Sequence, residues 1–306
     1  MLNVVTGAFG YIGKYITRRL LKQGEEVITI TTHPDKPNPF GNAVKAFSYN
    51  FNNPKELTKS LRGAETLYNT YWIRFEYDNQ TYRQTIKNTI TLFNCAKEAG
   101  IKRIVHISVT NASVNSDLPY YSGKAEQENA LINSGIPYSI VRPTLVFGDE
   151  DILVNNIAWL IRKFPLFPIF GDGAYRVQPV FVEDLASISV ESSKEKNSII
   201  LDAIGPESFT FQEFVQLIAA KIKPGVKLVH FPPAVGIIIG KLVGLALRDQ
   251  ILTRNELKGL MDGMLTSEQN PNGTTPFSDW LQSHKEKIGS VYSSEIERHF
   301  NWKSGK

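Results

Sequence analysis

Tyr120 and Lys124 stand four residues apart, the only such Tyr–Lys spacing in the chain. On a helix that spacing puts both side chains on one face. A nearby ammonium favours the phenolate and lowers a phenol's pKa. A phenol tuned in this way can pass a proton to or from a carbonyl or alcohol oxygen while hydride moves to or from a nicotinamide. The plainer alternative is a solvated helix face carrying an incidental pair. Residues 1–13 supply the second piece of chemistry. They read as a short apolar strand that runs into Gly7, Gly10 and Gly13. Gly7 permits a sharp turn, Gly10 lets the backbone approach a phosphate, and Gly13 lets a helix pack closely on the sheet. The helix N-terminus then offers N–H groups and a positive dipole end to a diphosphate.

The elements that must position these residues alternate. Ile12, Ile16 and Leu20 recur at helical spacing up to Gly24, and Val27–Thr31 reads as a second strand. Further strands are expected at Asn42–Asn50, Thr66–Tyr71, Arg103–Ser108 and Tyr138–Arg142, with helices at Pro54–Leu61, Tyr82–Ala99 and Tyr121–Asn133. The alternation predicts an α/β fold, a Rossmann-type doubly wound parallel sheet. Ile152–Phe170 reads as a helix and then a Pro- and Phe-rich loop. A strand Gln178–Val182, a helix Val182–Ser192 and a strand Ser198–Ala203 return to the sheet. The expected organisation is a dinucleotide-binding domain over 1–148 and 178–204, with a smaller helix-rich C-terminal cap over 149–177 and 205–306, facing the substrate.

Bulk properties narrow the classes. The 306 residues are 42% hydrophobic, ample for a sizeable core. Net charge is only +4 and no basic block occurs, so nucleic acid is not an expected partner. Cys95 is the sole cysteine, which excludes an internal disulfide and points to a reducing compartment. The five histidines are scattered, and no metal site is expected. The first residues enter a strand directly, so the chain reads as cytoplasmic, without a secretory signal. The apolar run Ala234–Leu247, interrupted by Lys241, is too short to span a bilayer. It is expected to be a buried helix, with a membrane-surface or subunit contact as the alternative.

Three motifs carry a family resemblance: Thr6–Gly13, the Tyr120–Lys124 segment and Gly135–Thr144. It continues through Gly171–Gly173 and Gln178–Ala186, covering about two thirds of the chain. Together they resemble the extended and atypical branches of the short-chain dehydrogenase/reductase superfamily. Asn69–Phe75 resembles an atypical subgroup near the nucleotide-binding accessory subunit of respiratory complex I. The resemblance implies that Thr6, Gly7, Phe9, Gly10, Tyr11, Ile12 and Gly13 hold the coenzyme, with Asn50, Phe51, Asn69, Thr70, Tyr71 and Pro143 completing its site. It makes Tyr120 the acid/base and places Lys124 on the nicotinamide ribose. The hydroxyl that normally polarises the substrate oxygen falls at Val109, flanked by Ser108 and Thr110, either of which would substitute if the strand end turned.

An acid after the second strand would hold the ribose diol of NAD, whereas hydroxyls and cations accommodate a 2′-phosphate. Here Thr31, Thr32, His33 and Lys36 precede or surround Asp35, so NADP is favoured over NAD. Trp72, Arg74, Arg176 and Gln178 are the candidate substrate contacts, by analogy. Two functions are expected to compete. One is an NAD(P)-dependent oxidoreductase or epimerase acting on a carbonyl or secondary alcohol of a small molecule, such as a nucleotide-linked sugar. The other is a non-catalytic NAD(P)-binding redox sensor or accessory subunit of a membrane complex. A homodimer or a membrane-complex contact would use the apolar run, and no transmembrane segment is expected.

Overall fold

Strand β1 (Leu2–Thr6) is buried from Asn3 onward, because strands pair with it on both sides. The computed structural model describes residues 1–299; the last residues of the expected cap, 300–306, lie outside them. The described chain forms two compact units, one of Met1–Pro143 and Val182–Ala203, the other of Thr144–Phe181 and the residues from Ile204 on.

In the first unit β1 is followed by α1 (Tyr11–Lys22), β2 (Glu26–Thr31), β3 (Val44–Ser48) and α2 (Pro54–Leu61). Then come β4 (Thr66–Asn69), α3 (Tyr82–Ala99), β5 (Arg103–Ile107), α4 (Pro119–Asn133) and β6 (Tyr138–Pro143). The returning helix Val182–Ser192 delivers a last strand, Ile199–Ala203, beside β6. The seven strands are parallel, in the order Ile199–Ala203, β6, β5, β4, β1, β2, β3. This is the Rossmann-type sheet, with its strand order reversing beside β1. Val4, Ile30, Leu67, Ile104 and Ile140 from the sheet pack with Leu57, Leu92, Phe93 and Leu131 from the helices. Helix α3 starts on a Thr81 cap, whose hydroxyl accepts the Gln84 N–H, and stops at Gly100, whose φ of 85° is the left-handed conformation that glycine tolerates.

Several expected boundaries shift for local reasons. The fourth strand ends at Asn69, not Tyr71, because the Thr70 N–H turns to the Thr6 hydroxyl. The third starts at Val44, after a short turn over Gly41–Ala43. Helix α4 starts at Pro119, a residue suited to the first helical position, so Tyr120 lies in its first turn.

The second unit pairs Leu145–Phe147 with Pro179–Phe181, Arg176–Val177 with Phe209–Thr210, and Leu166–Phe170 with Lys227–Phe231. The first pair corrects the expected boundaries at 148 and 178. Both of its strands bond to each other, not to the seven-stranded sheet, and both belong to this unit. The third corrects the expected Pro- and Phe-rich loop. A two-stranded ribbon tolerates Pro168 because an edge position needs no N–H there. Phe147, Phe214, Phe277 and Trp280 form an aromatic core, with Phe214 and Phe277 rings 4.6 Å apart. The helix Pro233–Leu247 is not the wholly buried element expected, since Ile238 and Leu245 are 58% and 79% exposed. Among the described residues no helix is long and apolar enough to cross a membrane.

Candidate coenzyme and acid/base site

The loop between β1 and α1 is held by its own backbone. The Gly7 N–H donates to the Ile30 carbonyl at 3.0 Å and the Gly10 N–H to the Gly7 carbonyl at 2.8 Å, with Gly7 at φ 65°. A Cβ on Gly13 would stand 2.3 Å from the Gly7 carbonyl oxygen, so only glycine lets α1 close on the loop. Gly10 caps α1 without a side-chain hydrogen bond, and no acid occurs in the first turn. The turn through Tyr11, Ile12 and Gly13 therefore presents amides and dipole to an anion with no carboxylate in competition. Phe9 is buried, and the Ala8 N–H is taken by the Thr29 hydroxyl at 3.0 Å. These residues fit a dinucleotide diphosphate.

Behind the loop, several expected contacts prove to be internal. Thr6 and Asn69 are fully buried. The Thr6 hydroxyl accepts the Thr70 N–H at 2.7 Å and lies 3.1 Å from Asn69 Oδ1, while the Thr70 hydroxyl donates to the Thr6 carbonyl at 2.6 Å. Asn69 Oδ1 also accepts the Tyr71 N–H at 3.2 Å, which fixes the amide's orientation. Its Nδ2 then donates to His106 Nδ1 at 3.0 Å, placing the imidazole proton on Nε2. Burial, with Lys124 nearby, holds His106 well below the usual histidine range. Thr6, Asn69 and Thr70 thus lock β1, β4 and β5 together at their C-terminal ends rather than offering free polar groups.

At the end of β2 the Thr31 hydroxyl accepts the His33 N–H at 3.2 Å, and the Lys36 N–H closes the turn on the His33 carbonyl at 3.2 Å. Thr32 and Asp35 are exposed, while His33 and Lys36 are half-buried. After β3, Asn50 is exposed and Phe51 stacks on Tyr49 with ring centroids 4.7 Å apart. Tyr71 leans on both rings and its hydroxyl accepts from Asn88 Nδ2 at 3.0 Å.

Lys124 is fully buried in α4. Its Nζ donates to the Ile107 carbonyl at 2.8 Å and lies 4.7 Å from the centroid of the Trp72 ring. Burial pushes the ammonium down to about 7, opposed by the Glu128 charge one turn further on. Glu128 is itself held by Arg142 in a bidentate pair, with Nε to Oε1 at 2.9 Å and Nη2 to Oε2. Tyr120 is half-buried and its ring meets Trp72 edge-on at 5.7 Å. The ladder continues past β5, with the Ser108 N–H donating to Val141 and the Thr110 N–H to Pro143. The strand end therefore stays extended through Ser108 and Val109, and the chain turns only at Thr110–Asn111. Val109, Ser108 and Thr110 are all buried, as is Pro143, and the Ser108 hydroxyl has no hydrogen-bond partner.

Of the substrate candidates, Trp72 and Arg74 belong to the first unit, Arg176 and Gln178 to the second. Arg74 is half-buried with its guanidinium 5.9 Å from the Phe75 ring. Arg176 is exposed and bonds the Ser208 hydroxyl at 3.1 Å. Gln178 is buried, its Nε2 donating to the Gly205 carbonyl and its Oε1 accepting the Ser267 N–H, so both ends of the amide are engaged internally. Sequence reasoning missed His106, Tyr82 and Glu128. Glu128 had a signal, because Tyr120, Lys124 and Glu128 follow at successive helical turns on one face.

Residues 7–155 match a family model described as NAD(P)H-binding. The chain thus carries an NAD(P)-binding domain, and its fold and motifs resemble those of the atypical and extended short-chain dehydrogenase/reductases. Among its relatives is the mitochondrial NADH dehydrogenase [ubiquinone] 1 alpha subcomplex subunit 9 of Arabidopsis thaliana, 27% identical over 76% of this chain. The match spans 60% of that relative's length. The fold superposes with a TM-score of 0.75 on Citrobacter triphenylmethane reductase, at 19% identity over 94% of this chain and all of that one. A nucleoside-diphosphate-sugar epimerase from Staphylococcus aureus gives 0.72 at 17% identity, over 97% of this chain and all of that one.

Proposed function

We propose that the protein holds NADP(H) as a resident coenzyme and serves as an accessory subunit of a membrane-bound redox complex. Lys124 carries this reading. Its Nζ is buried and engaged with the Ile107 carbonyl, and the substrate-polarising hydroxyl is replaced by buried Val109. In this conformation the buried ammonium, with its backbone partner, props α4 rather than standing open to a ribose. The Arabidopsis relative, a complex I subunit by name, supports the same role. So does the exposed apolar side of Pro233–Leu247, through Ile238 and Leu245. The NADP preference rests on Thr32, His33 and Lys36 after β2, where no acid stands at the strand tip. When bound, the coenzyme supplies hydride chemistry; this chain's residues grip its diphosphate at the α1 N-terminus.

A second reading, an oxidoreductase or epimerase acting on a small molecule such as a nucleotide-linked sugar, is favoured by the Tyr120–Lys124 pair in the first two turns of α4. Tyr120 would then be the proton donor. Titration with NADPH and NADH, followed by a panel of carbonyl substrates, separates the two. The accessory role expects tight NADPH binding and no coenzyme oxidation. Turnover that disappears in Tyr120→Phe would establish the enzyme instead.

A further inference from the structure

Trp72 follows directly on the network that ends β4. One part of its indole lies over Lys124 Nζ, 4.7 Å from the ring centroid, while its edge contact with Tyr120 measures 5.7 Å. It also stacks on Tyr82 at 5.5 Å. Beneath it is Gly123: a Cβ there would stand 2.9 Å from Trp72 Cη2 and 3.2 Å from Ile86 Cδ1. Glycine is a poor helix former compared with alanine, so its use inside α4 is explained by the seat it leaves for the indole. Trp72 Nε1 is buried without a hydrogen-bond partner, so no polar bond fastens the ring.

We propose that Trp72 is a hinged cover over Lys124 and Tyr120. A dinucleotide at the glycine loop binds through its adenosine diphosphate half, and its nicotinamide meets the pair only after the indole swings away. Trp72 is thus a positioning residue, acting through Lys124. The nucleotide part of this inference rests on the coenzyme reading above; the cover itself does not.

The first test uses no nucleotide. The full chain is treated with an N-hydroxysuccinimide acetate at about pH 9, and acetylation of Lys124 is followed by mass spectrometry. Trp72→Ala and Gly123→Ala should each accelerate modification roughly tenfold or more, the second because the new methyl lifts the ring. Trp72→Phe should stay near the parent rate. The labelling midpoint should also climb toward the ordinary lysine value as water reaches the ammonium; His106 and Glu128 are the other titratable groups that act on it. The second test compares NADPH with 2′,5′-ADP by calorimetry. The parent should bind both within about threefold, and Trp72→Ala should tighten NADPH alone by roughly tenfold. Equal labelling in parent and Trp72→Ala, or an unchanged NADPH to 2′,5′-ADP ratio, overturns the cover. Failure of both nucleotides to bind, with the labelling contrast intact, overturns the coenzyme reading and leaves the cover standing.

Discussion

Lys124 makes a stability prediction because its proton is held differently in the folded and unfolded chain. Burial lowers it from 10.5 to about 7. Between those values the unfolded chain binds more protons, so stability rises with pH across that window. Below about 7 the penalty of burying the charge is present in full. Lys124→Met should therefore flatten the rise, gaining most over the parent at about pH 6 and least at about pH 10. Urea unfolding across that range checks it; parallel profiles for the two proteins refute it. Asn69 belongs to the same scale. Asn69→Leu removes the acceptor of the partly buried Tyr71 N–H and the donor to buried His106. A loss of about 2–4 kcal/mol is expected, since unsatisfied buried groups cost roughly 1–3 kcal/mol each. Denaturant titration measures it.

At the scale of elements, the glycine loop separates binding from folding. Gly13→Ala drives a methyl against the Gly7 backbone at 2.3 Å, so it should destabilise the protein and weaken coenzyme uptake together. A Cβ on Gly10 meets only the Gly7 carbonyl oxygen, at 3.2 Å. Gly10→Val should keep the melting temperature within a few degrees while lowering NADPH affinity by about tenfold or more, because the branched side chain occupies the phosphate's approach. Thermal melts and titrations on both variants read the split. The loop was legible in the sequence because glycine is required there by backbone geometry, and geometry leaves a spacing. Trp72 and His106 were not legible in the same way. Their roles arise from where β4 and β5 end relative to α4, a tertiary fact that no local pattern carries. The short paired strands of the second unit were hidden for a related reason: at two to five residues, some with proline, they are too brief for period-two patterning.

At the scale of the molecule, Arg103 ties the start of β5 to residues far along the chain. Its guanidinium bonds the carbonyls of Glu195 at 2.5 Å and Asn197 at 3.2 Å, as well as that of Tyr138 at 2.9 Å. The first unit is therefore closed by its returning segment, whose strand Ile199–Ala203 completes the edge beside β6. A fragment of residues 1–143 lacks those partners and is expected not to reach a cooperative fold, whereas joining 182–203 to it by a short linker should restore one. Circular dichroism melts of the two constructions decide this. The parallel sheet and the returning helix could be read from alternation alone; the boundary between units could not, because Leu145–Phe147 and Pro179–Phe181 look like sheet strands until their partners are known.

That late-arriving edge has a consequence in time. A ribosome releasing about 5–20 residues each second needs several seconds to travel from Pro143 to Ala203, roughly 60 residues on. Throughout that interval β6 hangs in the nascent chain with one row of amides and carbonyls unpaired, inviting strands from neighbouring polypeptides. The nucleotide loop will have been translated long before, yet its supporting layer is sealed only once Ala203 has emerged, so cellular holdases have their natural period of engagement there.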